Sequence, residues 1–154
     1  MFIGIVGARK YKDKQSVIDF VKELAADSVI ITGSCRGPCR WAGTEAKARG
    51  LRTIIFSPDL ENVHGKFEVA QRYYENNRRL VQACDILHAF ISKEGGFTGG
   101  TRFEVEYALQ IGTEVGLHWE GSIRQSVCQH TFPFIHSGKR LFTAWQRFFV
   151  ETFA

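Results

Sequence analysis

The residues best suited to chemistry lie in one glycine-rich stretch, Glu94–Glu104, which follows an apolar run and precedes a helical pattern. Four glycines fall within its residues 95–100. Backbone without side chains can approach a ligand closely, and the first turn of the next helix offers unpaired N–H groups and a positive dipole end. This pattern predicts a phosphate-binding loop. The residues of this loop that we expect at the phosphate are Gly96, Thr98, Gly99, Gly100 and Thr101.

Glu104 is the one carboxylate in this stretch that could carry out catalysis. A carboxylate near a sugar can stabilise the oxocarbenium-like state through which a glycosidic bond breaks. The spacing Thr101-x-x-Glu104 is also that of a capping box, which would give Glu104 a structural role. Both roles remain open.

The elements that position this stretch alternate regularly along the chain. Short apolar runs predict five strands, and helical patterns separate them; the runs are Phe2–Val6, Val29–Ile31, Leu51–Phe56, Ile86–Ile91 and Thr113–Leu117. Alternation of this kind predicts an α/β fold with a Rossmann-like, doubly wound parallel sheet, for which the expected strand order is 3-2-1-4-5. The first and fourth strands are then neighbours at the switch point where such sheets bind ligands.

The loops after strands one, two and four should therefore converge on one cleft. Arg9 and Arg36 follow the first and second strands, and an arginine there can grip a phosphate with two hydrogen bonds. A lone surface arginine is more often solvated, but two in converging loops favour binding. The residues expected at the ligand in these two loops are Gly7, Ala8, Arg9, Gly33, Ser34, Arg36 and Gly37.

Composition is ordinary for a globular protein, with 44% hydrophobic and 23% charged residues among 154. The net charge of +4 suits an anionic ligand, but no dense basic block marks a nucleic-acid arm. The start has no basic leader, and no run is long enough to span a membrane, so we expect a cytoplasmic protein without membrane partners. The four cysteines lack zinc-site spacing, and we expect no metal and no cofactor.

The chain changes character after residue 117. We expect residues 1–117 to form the nucleotide-binding core and 118–154 an aromatic C-terminal helical extension that packs on the same domain. A surface for homo-oligomer formation is the alternative.

Four motifs in this order resemble the SLOG superfamily, which includes the LONELY GUY phosphoribohydrolases, the DNA-processing protein A family and the YspA-like proteins. They are Gly7-Ala8-Arg9, the segment Ile31–Ala42, Asn77-Arg78 with Asp85 beyond it, and Gly99–Glu104. Each motif is weak alone, and together they cover roughly residues 2 to 117.

The resemblance implies a cleft that binds a nucleotide or nucleotide-derived molecule, with Asn77 and Arg79 among the binding residues. It also implies an alternative, hydrolysis of nucleoside 5′-monophosphates at the N-glycosidic bond, with Glu104 and Arg78 as catalytic residues. Binding of single-stranded DNA is a second alternative. The sequence leaves open whether the site catalyses a reaction, and which of Arg78 and Arg79 faces it.

Overall fold

The computed structural model describes residues 1–121. Five strands and four helices alternate in this range. They are β1 (Phe2–Gly7), α1 (Lys14–Glu23), β2 (Val29–Gly33), α2 (Pro38–Ala48), β3 (Arg52–Phe56), α3 (Lys66–Gln82), β4 (Ile86–Ile91), α4 (Gly99–Ile111) and β5 (Glu114–Trp119). The interpretation of residues 122–154 as a helical extension or an oligomer surface lies outside the described residues.

The sheet is entirely parallel, in the order β3-β2-β1-β4-β5. Its register places Ile3 of β1 between Ile30 of β2 and Ile86 of β4. The predicted Rossmann-like fold and strand order are both confirmed. Because each helix returns the chain to the start of the next parallel strand, all four helices run opposite to the strands.

Two apolar cores flank the sheet, one on each face. The first contains Val17 and Val21 of α1 with Ala42 and Ala46 of α2, and the second contains Leu80 of α3 with Val105 and Ala108 of α4. The helices therefore lie in pairs on opposite faces, as a doubly wound sheet requires.

Three helix boundaries lie at the capping residues that the sequence predicts. Asp13 accepts a hydrogen bond of 3.0 Å from the N–H of Ser16 at the start of α1, and Pro38 occupies the first turn of α2. Gly112 ends α4 in the left-handed conformation, with φ of 81°. The strand β5 continues two residues beyond its predicted end, to Trp119. No helix within residues 1–121 combines the length and apolar character needed to cross a membrane.

The loops after β1 and β2 touch because two glycines permit it. A Cβ on Gly7 would lie 2.6 Å from Cγ of Pro38 and 2.9 Å from Cβ of Phe90, so β1 approaches α2 too closely for a side chain. Gly37 has φ of 85°, and a Cβ there would lie 3.3 Å from the carbonyl oxygen of Ala8.

Gly7→Ala should lower the free energy of unfolding by about 1–3 kcal/mol, because the added methyl group overpacks this contact. Gly43→Ala is the matched control. In the middle of α2 the same methyl group would meet only Cγ2 of Thr32, at 3.5 Å, and should stabilise by up to about 1 kcal/mol through helix propensity. Urea unfolding of both variants measures the difference, and wild-type stability in Gly7→Ala would contradict the close packing described above.

Candidate functional site

Three loops meet at the carboxyl ends of β1, β2 and β4. The N–H of Ala8 donates to the carbonyl of Phe90 at 3.0 Å, which joins the first loop to the end of β4. Lys10 and Lys12 form ion pairs with Glu94, at 3.2 and 2.8 Å. Together with the Gly37 contact, these interactions bring the three loops to one edge of the sheet.

Glu120 joins two of these loops through its carboxylate. It accepts backbone N–H groups from Lys12 and from Asp13 (3.1 Å) in the first loop, and from Lys93 (2.9 Å) after β4. Partial burial raises the pKa of Glu120, but the backbone hydrogen bonds outweigh that effect and hold the pKa below its usual value. The carboxylate is therefore ionised and holds the two loops together at neutral pH.

The helix α4 begins at Gly99, with its backbone donors unused. Its N-cap residue is Thr98, whose hydroxyl donates to the carbonyl of Gly95 at 3.0 Å and does not cap the helix. Within residues 1–121 the N–H groups of Gly99, Gly100 and Thr101 have no acceptor. These three N–H groups and the helix dipole favour an anion at this position.

The capping-box interpretation of Glu104 is wrong. The helix begins one residue after Thr98, so Thr101 already lies inside its first turn and cannot act as the N-cap. Glu104 falls in the second turn, too far along the helix to reach the N-cap backbone.

Glu104 is instead a buried carboxyl group without a partner. It is 8% exposed, and it forms no hydrogen bond or ion pair with any other residue of the described range. Burial raises its pKa to about 8. At neutral pH most of this carboxyl is therefore protonated, and it can donate a hydrogen bond as well as accept one.

Glu104 lies close to the start of α2. Burial raises the pKa of the Cys39 thiol to about 12, and the nearby charge of Glu104 adds to the shift. Cys39 is itself packed against the end of β2, since its Sγ lies 3.9 Å from the position of a Cβ on Gly33. Glu104 acts in the same way on the thiol of Cys84, which precedes β4, so its carboxyl lies within electrostatic range of both cysteines.

Arg9 and Arg36 are exposed and have no acidic partner among residues 1–121. Their loops are in contact, because Cα of Arg9 lies 3.7 Å from the position of a Cβ on Gly37. Two arginines without an ion pair among the described residues therefore lie in the loops that meet at this edge of the sheet.

The other residues of the second loop that we predicted at the ligand, Gly33, Ser34 and Gly37, differ in the groups they leave free for it. The backbone N–H of Ser34 is used by the carbonyl of Phe56, at 3.1 Å, so only its exposed hydroxyl is available to a ligand. Gly33 is the last residue of β2 and Gly37 precedes α2, so these two glycines bound the loop.

The Asn-Arg segment of α3 divides between two surfaces. Asn77 faces the site, with its Nδ2 3.4 Å from the position of a Cβ on Gly100. Arg79 lies over the ring of Phe56, at 5.8 Å. Neither Arg78 nor Arg79 contributes to the pKa of Glu104, whose shift comes from burial.

Arg78 lies in a separate groove between α3 and α4. Its guanidinium is 5.7 Å from the ring centre of Phe103 and 5.9 Å from that of Tyr107. Gln82, Glu106 and Gln110 also line this groove, which has a volume of about 510 Å³. The structure therefore does not bring Arg78 and Glu104 together.

Comparisons with known proteins find similarity in solved structures alone. No family model and no curated protein matches the chain. DNA processing protein A from Streptococcus pneumoniae superposes with a TM-score of 0.61 at 18% identity, over 82% of this chain and 51% of that one. The protein of the same name from Helicobacter pylori gives 0.61 at 17% identity, over 84% and 67%. This chain shares their Rossmann-like fold. It spans about half the length of the Streptococcus protein.

Sequence reasoning missed Asn76, the buried neighbour of Asn77 on α3. Asn76 is 5% exposed, and its Oδ1 is buried without a hydrogen-bond partner among the described residues. The available signal was helical spacing, because Asn76 precedes the core residue Leu80 by four positions and shares its face.

Within residues 1–121, no three His, Cys, Asp or Glu side chains lie close enough to hold a metal ion.

Glu104→Gln should change how stability depends on pH. The pKa of Glu104 is about 8 in the folded chain against an ordinary value of 4.5. Because the folded state retains this proton longer, ionisation favours unfolding, and stability falls as pH rises from 4.5 to 8 by roughly 1.4 kcal/mol per unit. The glutamine variant lacks this loss.

The stability advantage of Glu104→Gln over wild type should therefore grow by on the order of 3 kcal/mol between pH 5 and pH 8. Chemical denaturation across this range measures it. Glu106→Gln is the control, since Glu106 pairs with Arg102 at 2.7 Å on the accessible side of the same helix. An advantage that does not change with pH would mean that Glu104 is not buried as described.

Proposed function

We propose that this chain binds a nucleotide or nucleotide-derived small molecule at the edge where the loops after β1, β2 and β4 meet. The observation that supports this most strongly is the Glu104 carboxyl, buried and without a partner among residues 1–121, one turn beyond the free N–H groups of α4. A buried polar group without a hydrogen bond destabilises a protein, and ligand sites are where such groups persist.

The phosphate end of the ligand binds at the first turn of α4. Gly99, Gly100 and Thr101 supply backbone N–H groups, and the helix dipole adds a favourable field. Arg9 and Arg36 supply positive charge that no described carboxylate neutralises. Lys10 and Lys12 are occupied by Glu94, which leaves Arg9 and Arg36 as cations of the loops after β1 and β2 that are unpaired within residues 1–121.

The sugar end lies toward Glu104. In an α-helix, Glu104 is about one turn beyond Gly100, and this axial separation suits a phosphate at the helix terminus and the sugar attached to it. A carboxyl group with a pKa of about 8 can donate to a ribose oxygen when protonated and accept from a ribose hydroxyl when ionised.

Arg9→Ala and Arg36→Ala should each weaken AMP binding about tenfold, because each removes a charge-assisted hydrogen bond to the phosphate. Isothermal titration calorimetry measures the affinity. Arg52→Ala is the matched control: it removes the same charge from an exposed residue at the start of β3, at the opposite edge of the sheet, and should leave affinity within twofold. Equal losses in all three variants would indicate general charge attraction and contradict a site at this edge.

A second candidate function is hydrolysis of the N-glycosidic bond of a nucleoside 5′-monophosphate. The pKa of Glu104 favours it, because a group that titrates near neutral pH is suited to general acid–base catalysis. Water would add to the anomeric carbon, the carbon–nitrogen bond would break, and the base would leave with a proton. Arg78 is engaged with two aromatic rings in the separate groove, so in this structure Glu104 is the residue that supports the reaction.

Release of adenine from AMP by the wild-type chain, reduced at least a hundredfold in Glu104→Gln, is the expected outcome for this candidate. Glu106→Gln should keep wild-type turnover. If wild-type chain binds AMP without releasing adenine, hydrolysis is excluded for this substrate and the binding function remains.

A third candidate function is binding of single-stranded DNA, favoured by the shared fold. DNA processing protein A from Helicobacter pylori has a single-stranded DNA binding mode. Arg9 and Arg36 would then bind successive phosphates instead of one nucleotide. Gel shifts of a thymidine oligonucleotide should weaken steeply with salt if this holds, and salt-independent or absent binding would contradict it.

A further inference from the structure

The Asn76 side chain on α3 has hydrogen-bonding capacity that the described residues do not use. Its Oδ1 is buried without a donor, and the residue is 5% exposed. More than nine in ten buried polar groups in proteins have a hydrogen-bond partner, and leaving one unpaired is unfavourable. The exception therefore needs a physical explanation.

The position of Asn76 relates it to the carboxyl edge of the sheet. Leu80, four residues later on the same face of α3, has its Cδ1 3.9 Å from the position of a Cβ on Gly33, the last residue of β2. Because α3 runs opposite to the strands, one turn back from Leu80 carries Asn76 about 5 Å farther toward the loop that follows Gly33. Asn76 is thus beside the edge at which the three loops meet.

Two neighbouring residues relate Asn76 to the proposed cleft. Asn77, the next residue, has its Nδ2 3.4 Å from the position of a Cβ on Gly100 in the first turn of α4. Across from Leu80, Sγ of Cys39 approaches the same Gly33 position at 3.9 Å, and the charge of Glu104 acts on that thiol. Asn76 on α3 and Glu104 on α4 therefore belong to the two helices that cover the same face of the sheet, where Leu80 and Val105 share one core.

We infer that Asn76 is a specificity-determining residue whose Oδ1 accepts a hydrogen bond from a hydroxyl or amino group of the bound ligand. This inference rests on the proposed nucleotide-binding function. It adds that the ligand carries a neutral donor at a distance from its phosphate, on the sugar or on the base. An anion composed of phosphate alone lacks such a donor and leaves Oδ1 unpaired.

Asn76→Leu tests the inference, because leucine has nearly the same size and no polar atoms. Affinity for AMP should fall about tenfold, as expected for one lost hydrogen bond in a buried site, while affinity for pyrophosphate should stay within twofold. Ribose 5-phosphate is the third probe, because it carries the sugar and phosphate of AMP without the base. A loss for both sugar-bearing ligands assigns the donor to the sugar, and a loss for AMP alone assigns it to the base.

Stability without ligand gives an independent measurement. Replacing an unpaired buried amide by an apolar side chain should leave the melting temperature unchanged or raise it, whereas replacing a satisfied amide lowers it. Asn76→Ala provides a second variant in case leucine does not fit. Gln71→Leu is the matched control: it makes a similar amide-to-leucine change at an exposed position of α3 and should not affect AMP affinity.

The outcomes separate this inference from the function on which it rests. If the wild-type chain binds AMP and both Asn76 variants bind it equally well, the inference is overturned and nucleotide binding stands. A melting temperature several degrees lower in ligand-free Asn76→Leu also overturns it, because Oδ1 then has a partner within the chain. If the wild-type chain binds none of the three probes, the proposed function and this inference both fail.

Discussion

Between Gly7 and Pro38 there is no room for a side chain, and the geometry of the whole site depends on that contact. Because β1 lies at the centre of the sheet, its carboxyl end must accommodate both the start of α2 and the loop after β4. A methyl group at position 7 would overlap Pro38 on one side and Phe90 on the other. Because Gly7 carries only a hydrogen atom at this position, the backbone of three separate loops approaches a common edge, and two helices direct their amino ends toward it.

This edge carries polar groups that the fold itself does not need. Glu104 and Asn76 are both buried and both lack partners among the described residues, although each lies next to core residues of the same apolar cluster. An apolar residue at either position would remove an unfavourable burial. A ligand that completes the hydrogen bonds would explain both side chains, so an apolar substitution at either position is expected to raise stability and weaken binding.

Much of the fold follows from local sequence patterns. Alternating apolar runs and helical periodicity predict a parallel sheet, and right-handed crossovers leave few strand orders, of which 3-2-1-4-5 was the expected one. Asp13, Pro38 and Gly112 mark helix boundaries through short-range chemistry that a sequence displays directly. The convergence of three loops follows from that order, since the carboxyl ends of neighbouring parallel strands share one edge.

The parts of the site that sequence reasoning missed depend on packing between distant segments. A Thr-x-x-Glu spacing is the same whether the helix begins at Thr98 or at Thr101, so the pattern could not decide the role of Glu104. The groove that holds Arg78 arises from the rings of Phe103 and Tyr107, which come from another helix. Asn76 was overlooked because a motif directs attention to Asn77, while only the face shared with Leu80 identifies the buried residue.

The Glu120 carboxylate has a consequence for the limits of the folded unit. Its three backbone N–H partners come from the loops after β1 and β4, more than 25 residues away along the chain in each case. A fragment that stopped at residue 117, the end expected from hydrophobic pattern, would lose the last two residues of β5 and this carboxylate with them. The smallest unit able to hold these loops together therefore extends through Glu120, and the final strand supports the proposed ligand site from outside it.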